Sequence, residues 1–458
     1  MIDQATNSNL ARHLKNYTCK EIAESLSPQT VCEVMASLKL SFRNRIFNPF
    51  VTLFAFLSQV FDDDSSCRQA VASTSLRLLA RQGKSCSLGT SSLCKAKARL
   101  PVAFYEEISK RIAIGLESQR EDQWTWRHGN VKLVDGTGLS MPDTAANQKK
   151  FPRAKGASFP VVRLLGVFSL ATGGFIGGAL SAWSGKGVGE LTLLRQLWNH
   201  FDRGDTLLGD GLYANYWVLA SALERGVGVV AEFNKRSWGR INRKNGDQII
   251  EIKKPVKPKS MNKSDYAQIP GIVRVRIVKL CCAPKGFRVK TKFILTTHLS
   301  SKEISADEIL SLYKKRWQVE LHLRSIKTLL GMDILKGQGP DMVQKEIWTH
   351  LIAYNLIRIK MLQIGRSHKK PPINFSFRAT QQVLSLLRQV ASLGINIKEI
   401  EPKLLELLSI HTIGKRPDRF EPRAIKRRKK NFALLKGPRD AARRKLHKKY
   451  KVSKNTGA

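Results

Sequence analysis

Apolar residues recur three and four apart through the first 125 or so residues, in KEIAESL, TVCEVMASLKLSF, FVTLFAFLSQVF, SCRQAVASTSLRLLARQ and SSLCKAKARLP, and strand-like runs are few. The pattern predicts an all-helical N-terminal domain. Ser66 can cap a helix over Cys67 to Arg81 that Gly83 ends, and a shorter helix runs from Thr90 to Leu100 and stops at Pro101. A helix, a break and a helix carrying Lys95, Lys97 and Arg99 fits a DNA-reading pair and a small bundle with solvated lysines equally well.

From Val131 the period changes. VKLVDGTGLSM, VVRLLGVFSLAT and GFIGGALSAW are short apolar runs separated by turns. An amphipathic stretch from Gly189 to Phe201 follows, then DTLLGDGLY, a helix NYWVLASALERG, and VGVVAEF. Three strands in a row, then helix, strand, helix, strand, predict a mixed sheet covered by helices. Residues 234 to 292 break the alternation: they hold 17 Lys plus Arg against Asp247, Glu251 and Asp265. GIVRVRIVKL there alternates apolar and basic at period two, which predicts a strand with one basic face turned to a polyanion. KFILTTHL resumes the strand pattern, and Ser305 with Glu308 forms a capping box that opens a long helix to about Leu330, ended by Gly331. Helical periodicity continues in VQKEIWTHLIAYNLIRIKMLQIG and in a segment around Ala379 to Leu408.

Composition narrows the class. With 458 residues, 42% hydrophobic, 32 Gly and 17 Pro, the chain is globular, neither wholly disordered nor a collagen nor a coiled coil. The excess of 79 Lys plus Arg over 36 Asp plus Glu, net +43, is costly self-repulsion unless a polyanion neutralises it. The uncharged stretch from Leu164 to Trp183 has the length of a membrane span, but its glycines favour two strands joined at Ala171-Thr172-Gly173-Gly174. No basic region followed by an apolar run opens the chain, so neither a signal peptide nor a membrane is expected, and the location expected is cytoplasmic and nucleoid-associated. Seven scattered cysteines without a CxxC pair read as reduced thiols rather than a disulfide framework or a zinc cage. The tail from Lys415 to Lys454 has 18 Lys plus Arg against three acids.

Three carboxylates carry the candidate chemistry. Asp135 in LVDGTG lies near the end of an apolar strand and Asp210 in LLGDGLY ends another, each before a glycine, and an aspartate in such a run needs a partner or a metal. A lone Asp-Gly after a strand is usually a turn; two on one predicted sheet say more. In SLYKKRWQVELHLRSIKTLLGM, Tyr313, Arg316, Glu320 and Lys327 are spaced 3, 4 and 7 apart, which at about 100° per residue puts them within roughly 60° of one helix face. A row of surface ion pairs explains that face by itself. Added to the two aspartates, Glu320 completes an oxygen-ligand set for two Mg²⁺ ions. Asp143, Glu190 and Asp205 are left outside the site: Asp205 lies on the opposite strand face from Asp210, and Glu190 suits a helix start.

Tyr313-x2-Arg316-x3-Glu320-x6-Lys327 matches at all four positions the Y-x2-R-x3-E-x6-K signature of the insertion-sequence-4 family of bacterial DDE transposases, which the chain resembles over almost its whole length, including LVDGTGLSMPD, LLGDGLYANYW and GKRPDRFEPRAIKRRKK. The resemblance implies an α/β, RNase H-like catalytic core, a mixed sheet with flanking helices, interrupted by a β-rich insertion at about 234 to 292. It also implies an all-α N-terminal domain and a helical, basic C-terminal region. The expected division is 1 to 125 (DNA binding), 126 to 335 (catalytic), 336 to 414 (helical, a candidate dimerisation region) and 415 to 458 (basic tail). Asp135, Asp210 and Glu320 would be catalytic and metal-binding, with Mg²⁺ as cofactor and Mn²⁺ able to substitute. Tyr313, Arg316 and Lys327 would hold phosphates, with Arg324, Trp317 and Trp238 as further DNA contacts; a core role is the commoner fate of either tryptophan. The implied reaction is cleavage at terminal inverted repeats and joining to target DNA by two-metal phosphoryl transfer, through a hairpin. The implied partners are double-stranded DNA and a second copy of the chain bridging paired ends. A metal-dependent nuclease of the same fold and a DNA- or RNA-binding factor with structural acids are the alternatives.

Overall fold

The computed structural model describes residues 26–42, 45–62, 64–83, 86–154, 156–233, 241–242, 245–258, 262–282, 290–392, 397–413 and 439–450. Helices α1 (Pro28–Ser37), α2 (Pro49–Phe61), α3 (Cys67–Gln82), α4 (Ser91–Arg99) and α5 (Val102–Ser118) precede the first strand. Their starts are written locally. Ser27, Asn48 and Ser66 accept from the N–H of Thr30, Val51 and Gln69, and Pro28 and Pro49 sit in first turns, where no intrahelical N–H is missed. Gly83 closes α3 at φ +63°, a left-handed conformation that side chains other than glycine's adopt at a cost. The apolar runs do not delimit α5.

Lys97 departs from expectation. It is 6% exposed; its ammonium donates to Gln59 Oε1 at 3.0 Å and lies 4.2 Å from the centre of the Phe56 ring. Leu93, Ala96, Lys97 and Leu100 form one buried stripe at helical spacing, so Lys97 is a core residue, while Lys95 and Arg99 are exposed.

The sheet follows: β1 (Val131–Ser140), α6 (Ala145–Lys150), β2 (Val161–Ser169), β3 (Phe175–Ala182), α7 (Glu190–Arg195), β4 (Thr206–Leu208), α8 (Tyr216–Glu224) and β5 (Gly228–Glu232). Then come β6 (Asp247–Lys253), α9 (Lys263–Gln268), β7 (Ile272–Cys282) and β8 (Lys290–Thr296). The strand order is β3-β2-β1-β4-β5-β8-β7-β6. β1, β2 and β3 form an antiparallel meander, and β4 and β5 run parallel to β1. This is the RNase H-like arrangement. The Leu164 to Trp183 stretch is β2, a turn and β3, as expected, and among the described residues no helix is long and apolar enough to cross a membrane.

β6, β7 and β8 extend the same sheet beyond β5, all antiparallel. The period-two alternation of apolar and basic residues in β7 holds only over Val273 to Ile277: Lys279 falls on the opposite face from Arg274 and Arg276, whose own face continues into the buried Val278 and Leu280. Arg276 is 1% exposed, grips both carboxylate oxygens of Asp247 and donates to the Ile304 carbonyl at 2.6 Å, because the segment leading into the next helix covers it. Arg274 pairs with Glu251 at 3.7 Å, both exposed.

The helix expected from Ser305 to Leu330 begins with its capping box but is not one α-helix. It comprises α10 (Ala306–Lys314), a 3₁₀ turn over Lys315–Trp317, α11 (Gln318–Arg324) and a π turn over Ser325–Leu329, ending before Gly331. α12 (Pro340–His368) follows, then α13 (Phe377–Ser392) and α14 (Ile397–Ile410) where a single helix was expected, and α15 (Arg439–Tyr450). One face of the sheet packs on α7 and α8. The other packs on α5, α11 and α12 in a core continuous with α1 and α2. α12 is buried along most of its 29 residues. Its Lys345 ammonium donates to the Lys97 and Ala98 carbonyls at the end of α4, and Asn355 bonds both backbone groups of Phe175 at 2.8 Å.

Candidate active site

Strand register builds the site. In the parallel β1–β4 pair, Val131 lies opposite Thr206 and Leu133 opposite Leu208; two residues further on, the same offset sets Asp210 level with Asp135. In the β4–β5 pair Leu208 lies opposite Val230, which carries the row on to Glu232. Leu133, Leu208 and Val230 belong to the core on the α11–α12 side, so the alternation of strands turns Asp135, Asp210 and Glu232 to that side as well. Adjacent strands lie about 4.8 Å apart, and like charges set side by side repel.

The helical segment after Ser305 crosses above this row. Arg316 Nη2 donates to Glu320 Oε1 at 2.8 Å, with both side chains partly buried, and its charge is felt at Asp135. Asp135 accepts from the Gly136 N–H at 2.8 Å, and Asp210, which is exposed, accepts from the Leu212 N–H at 2.8 Å. Burial pushes the Asp135 carboxyl up to about 6; the Gly136 N–H works against this, Asp210 and Glu190 add to it, and Arg316 relieves part of it. Such a carboxylate favours a cation beside it, and the donors gathered here are all hard oxygens suited to a divalent ion. Among the described residues, however, no three acidic, histidine or cysteine side chains converge closely enough to enclose one. Glu320 is turned to Arg316 instead.

The remaining candidates are placed unequally. Tyr313, expected at the phosphates, is 7% exposed, and its hydroxyl donates to Glu232 Oε2 at 3.0 Å; burial, then Glu232, raises its pKa. Lys327, in the π turn, is partly buried and makes no ion pair with the described residues. Arg324 and Trp317 are exposed, Trp317 by 57%. Trp238 lies outside the described residues.

Two acids were missed by the sequence reading. Glu190 does open α7 behind Gly189, as expected, but its carboxylate fills the space that a side chain on Gly136 would need and accepts from the buried Tyr213 hydroxyl at 3.2 Å. Glu232 closes the row and is also paired with Lys292 at 2.7 Å. Asp205 lies apart from them, 2% exposed and bonded to the Lys132 ammonium, and Asp143 accepts from Gln148. Register is the signal that finds Glu232, and no local pattern reports Glu190.

Residues 126–356 match the family model described as "Transposase DDE domain". Transposase InsG for insertion sequence element IS4 of Escherichia coli (strain K12) is 26% identical over 327 residues, 66% of this chain and 69% of that protein. The putative transposase y4zB of Sinorhizobium fredii is 26% identical over 301 residues, 62% and 74% of the two chains. The transposase for insertion sequence element IS421 of Escherichia coli is 36% identical over 64 residues, 14% and 17%. A solved structure titled as the piggyBac transposase synaptic complex with hairpin DNA is 12% identical, with 90% of this chain and 86% of that chain covered and a TM-score of 0.44.

Proposed function

This chain belongs to the DDE transposase family, and from that premise we propose that Asp135, Asp210 and Glu320 are its catalytic acids, cutting DNA at the ends of an insertion sequence and joining those ends to target DNA. The observation that carries the reading is the level placement of Asp135 on β1 and Asp210 two residues past the end of the parallel strand β4, beneath the segment bearing Glu320 and inside the matched residues. The three carboxylates would hold divalent ions, Mg²⁺ or in its place Mn²⁺, which when bound activate the attacking water or 3′-hydroxyl and stabilise the leaving oxygen.

The chain's own residues supply position and charge. Asp135 and Asp210 are fixed by the sheet, whereas Glu320 rides on a helix and must leave Arg316 to join them. Arg316, once released, offers a planar fork that matches a phosphate in a bidentate way, and Lys327 offers a point charge. Arg324 and Trp317 are exposed on the same segment and can extend the contact along the DNA. A net charge of +43 gives the long-range attraction. Nicking, hairpin formation, hairpin opening and joining are the proposed sequence of steps, carried out by two copies of the chain on paired ends.

The test uses a labelled fragment carrying the imperfect inverted repeats nearest the coding region. Nicking at the repeat edge that needs Mg²⁺, and that falls by about three orders of magnitude in Glu320→Gln while end binding persists, is the expected result. Cutting by the glutamine protein at the wild-type rate would reject the site. Nicking without joining would move the reading to a nuclease.

A further inference from the structure

We infer that Glu232 is a positioning residue of this site: through Tyr313 it sets the rotation of the helical segment that presents Arg316 and Glu320 to Asp135 and Asp210. The inference rests on the reading that Glu320 acts with those two aspartates. Glu232 stands at the end of β5 in the same row as the aspartates, so a group tied to it is tied to the floor of the site. Tyr313 is that group, buried, with its hydroxyl on Glu232 Oε2 at 3.0 Å.

The helix alone does not fix what Tyr313 fixes. Between Tyr313 and Glu320 the chain passes through the 3₁₀ turn at Lys315–Trp317. Three residues at about 120° rather than 100° rotate everything downstream by roughly 60° relative to an unbroken α-helix. The direction of Glu320 therefore depends on where the helix is held before that turn, and the Tyr313–Glu232 bond holds it. The ammonium of Lys292, 2.7 Å from Glu232, neutralises the third carboxylate of the row and leaves Asp135 and Asp210 as the open pair.

The experiment compares wild type, Glu232→Ala, Tyr313→Phe, the double variant and Glu232→Gln. It measures affinity for end DNA, single-turnover cleavage, and amide hydrogen exchange over residues 313–324. Glu232→Ala and Tyr313→Phe are each expected to slow cleavage by about 30-fold, with end affinity within about twofold and faster exchange over that segment. The double variant should be no slower than the slower single. Glu232→Gln keeps an oxygen that accepts from the tyrosine hydroxyl, and should return cleavage to within about threefold of wild type, with wild-type exchange. Tyr313→Phe guards against a misfolded alanine variant, since it removes one oxygen only. Losses that multiply in the double variant, or a glutamine variant as slow as alanine with unaltered exchange, would overturn the tether. If wild type itself fails to cut, the transposase reading fails while the exchange data still decide the tether; if wild type cuts and neither rate nor exchange moves in Glu232→Ala, the tether alone falls.

Discussion

The strand pair β1–β4 treats charge in opposite ways at its two ends. At one end Lys132 and Asp205, both almost fully buried, bond each other, and the ammonium also donates to the His200 carbonyl at 2.6 Å. At the other end, three to five residues along, Asp135 and Asp210 stand level with like charge and no lysine between them. The first end stabilises the sheet by pairing; the second holds a carboxylate that resists ionisation and is relieved by a cation. Burial therefore does not distinguish a structural acid from one proposed to be catalytic. The difference lies in how fully the fold supplies the counter-charge: Asp205 bonds its lysine, whereas Arg316 relieves Asp135 only in part.

The paired end should be the more costly to damage. Lys132→Met leaves the Asp205 carboxylate buried without its cation and should lower stability by about 3–5 kcal/mol in urea unfolding; a loss below about 1 kcal/mol would erase the contrast. The open end should respond with the reverse sign. The Asp135 carboxyl, at about 6 in the folded protein against an ordinary 3.8, keeps a proton that the unfolded chain gives up, so its contribution falls as pH rises from about 4 to 6. Asp135→Asn should accordingly match wild type at pH 4 and exceed it by about 1–3 kcal/mol above pH 7, while abolishing cleavage. Added Mg²⁺ should stabilise wild type and leave the Asn variant unmoved; equal stability at all pH would mean that Asp135 is already neutralised. The smallest effect is expected at Gly136, where a Cβ would come within 2.4 Å of the Glu190 carboxyl carbon. Gly136→Ala should cost about 1 kcal/mol in wild type and less when added to Glu190→Ala; thermal melts of the single and double variants decide this.

Much of this was legible in the chain. The two Asp-Gly pairs in apolar runs and the Tyr, Arg, Glu, Lys spacing are local signals, and so are the caps at Ser66 and Ser305, although Asp135 stands midway along β1, which stays paired with β2 as far as Ser140, rather than near its end. The succession of strands and helices was legible too, but not the order in the sheet, where β4 pairs with β1 and β8 with β5 across intervening chain. What was hidden depends on neighbours far away in sequence. Glu190 has a sufficient local explanation at the start of α7, so its contact with Gly136 and Tyr213 leaves no trace in its surroundings. Glu232 reads as an ordinary acid ending VGVVAEF, and only the β4–β5 register puts it beside Asp210. The 3₁₀ and π turns interrupt an unbroken helical periodicity, which is why Tyr313 was expected on the DNA-facing side. Lys97 could have been placed correctly, since Leu93, Ala96 and Leu100 already mark its stripe as the buried one.

The burial of α12 also governs when the molecule can be assembled. This helix, about 43 Å long by its residue count, covers one side of the sheet, caps α4 through Lys345 and fastens the β2–β3 turn through Asn355. A ribosome makes the N-terminal helices and all eight strands before residue 340, so their shared apolar face stays uncovered until this helix follows. Contacts spanning that much chain close slowly, and a polypeptide released before His368 lacks the piece that its N-terminal half folds against. Translation through α12 is thus a condition for a stable enzyme, and copies terminated before it should accumulate as aggregates or be degraded rather than compete for DNA.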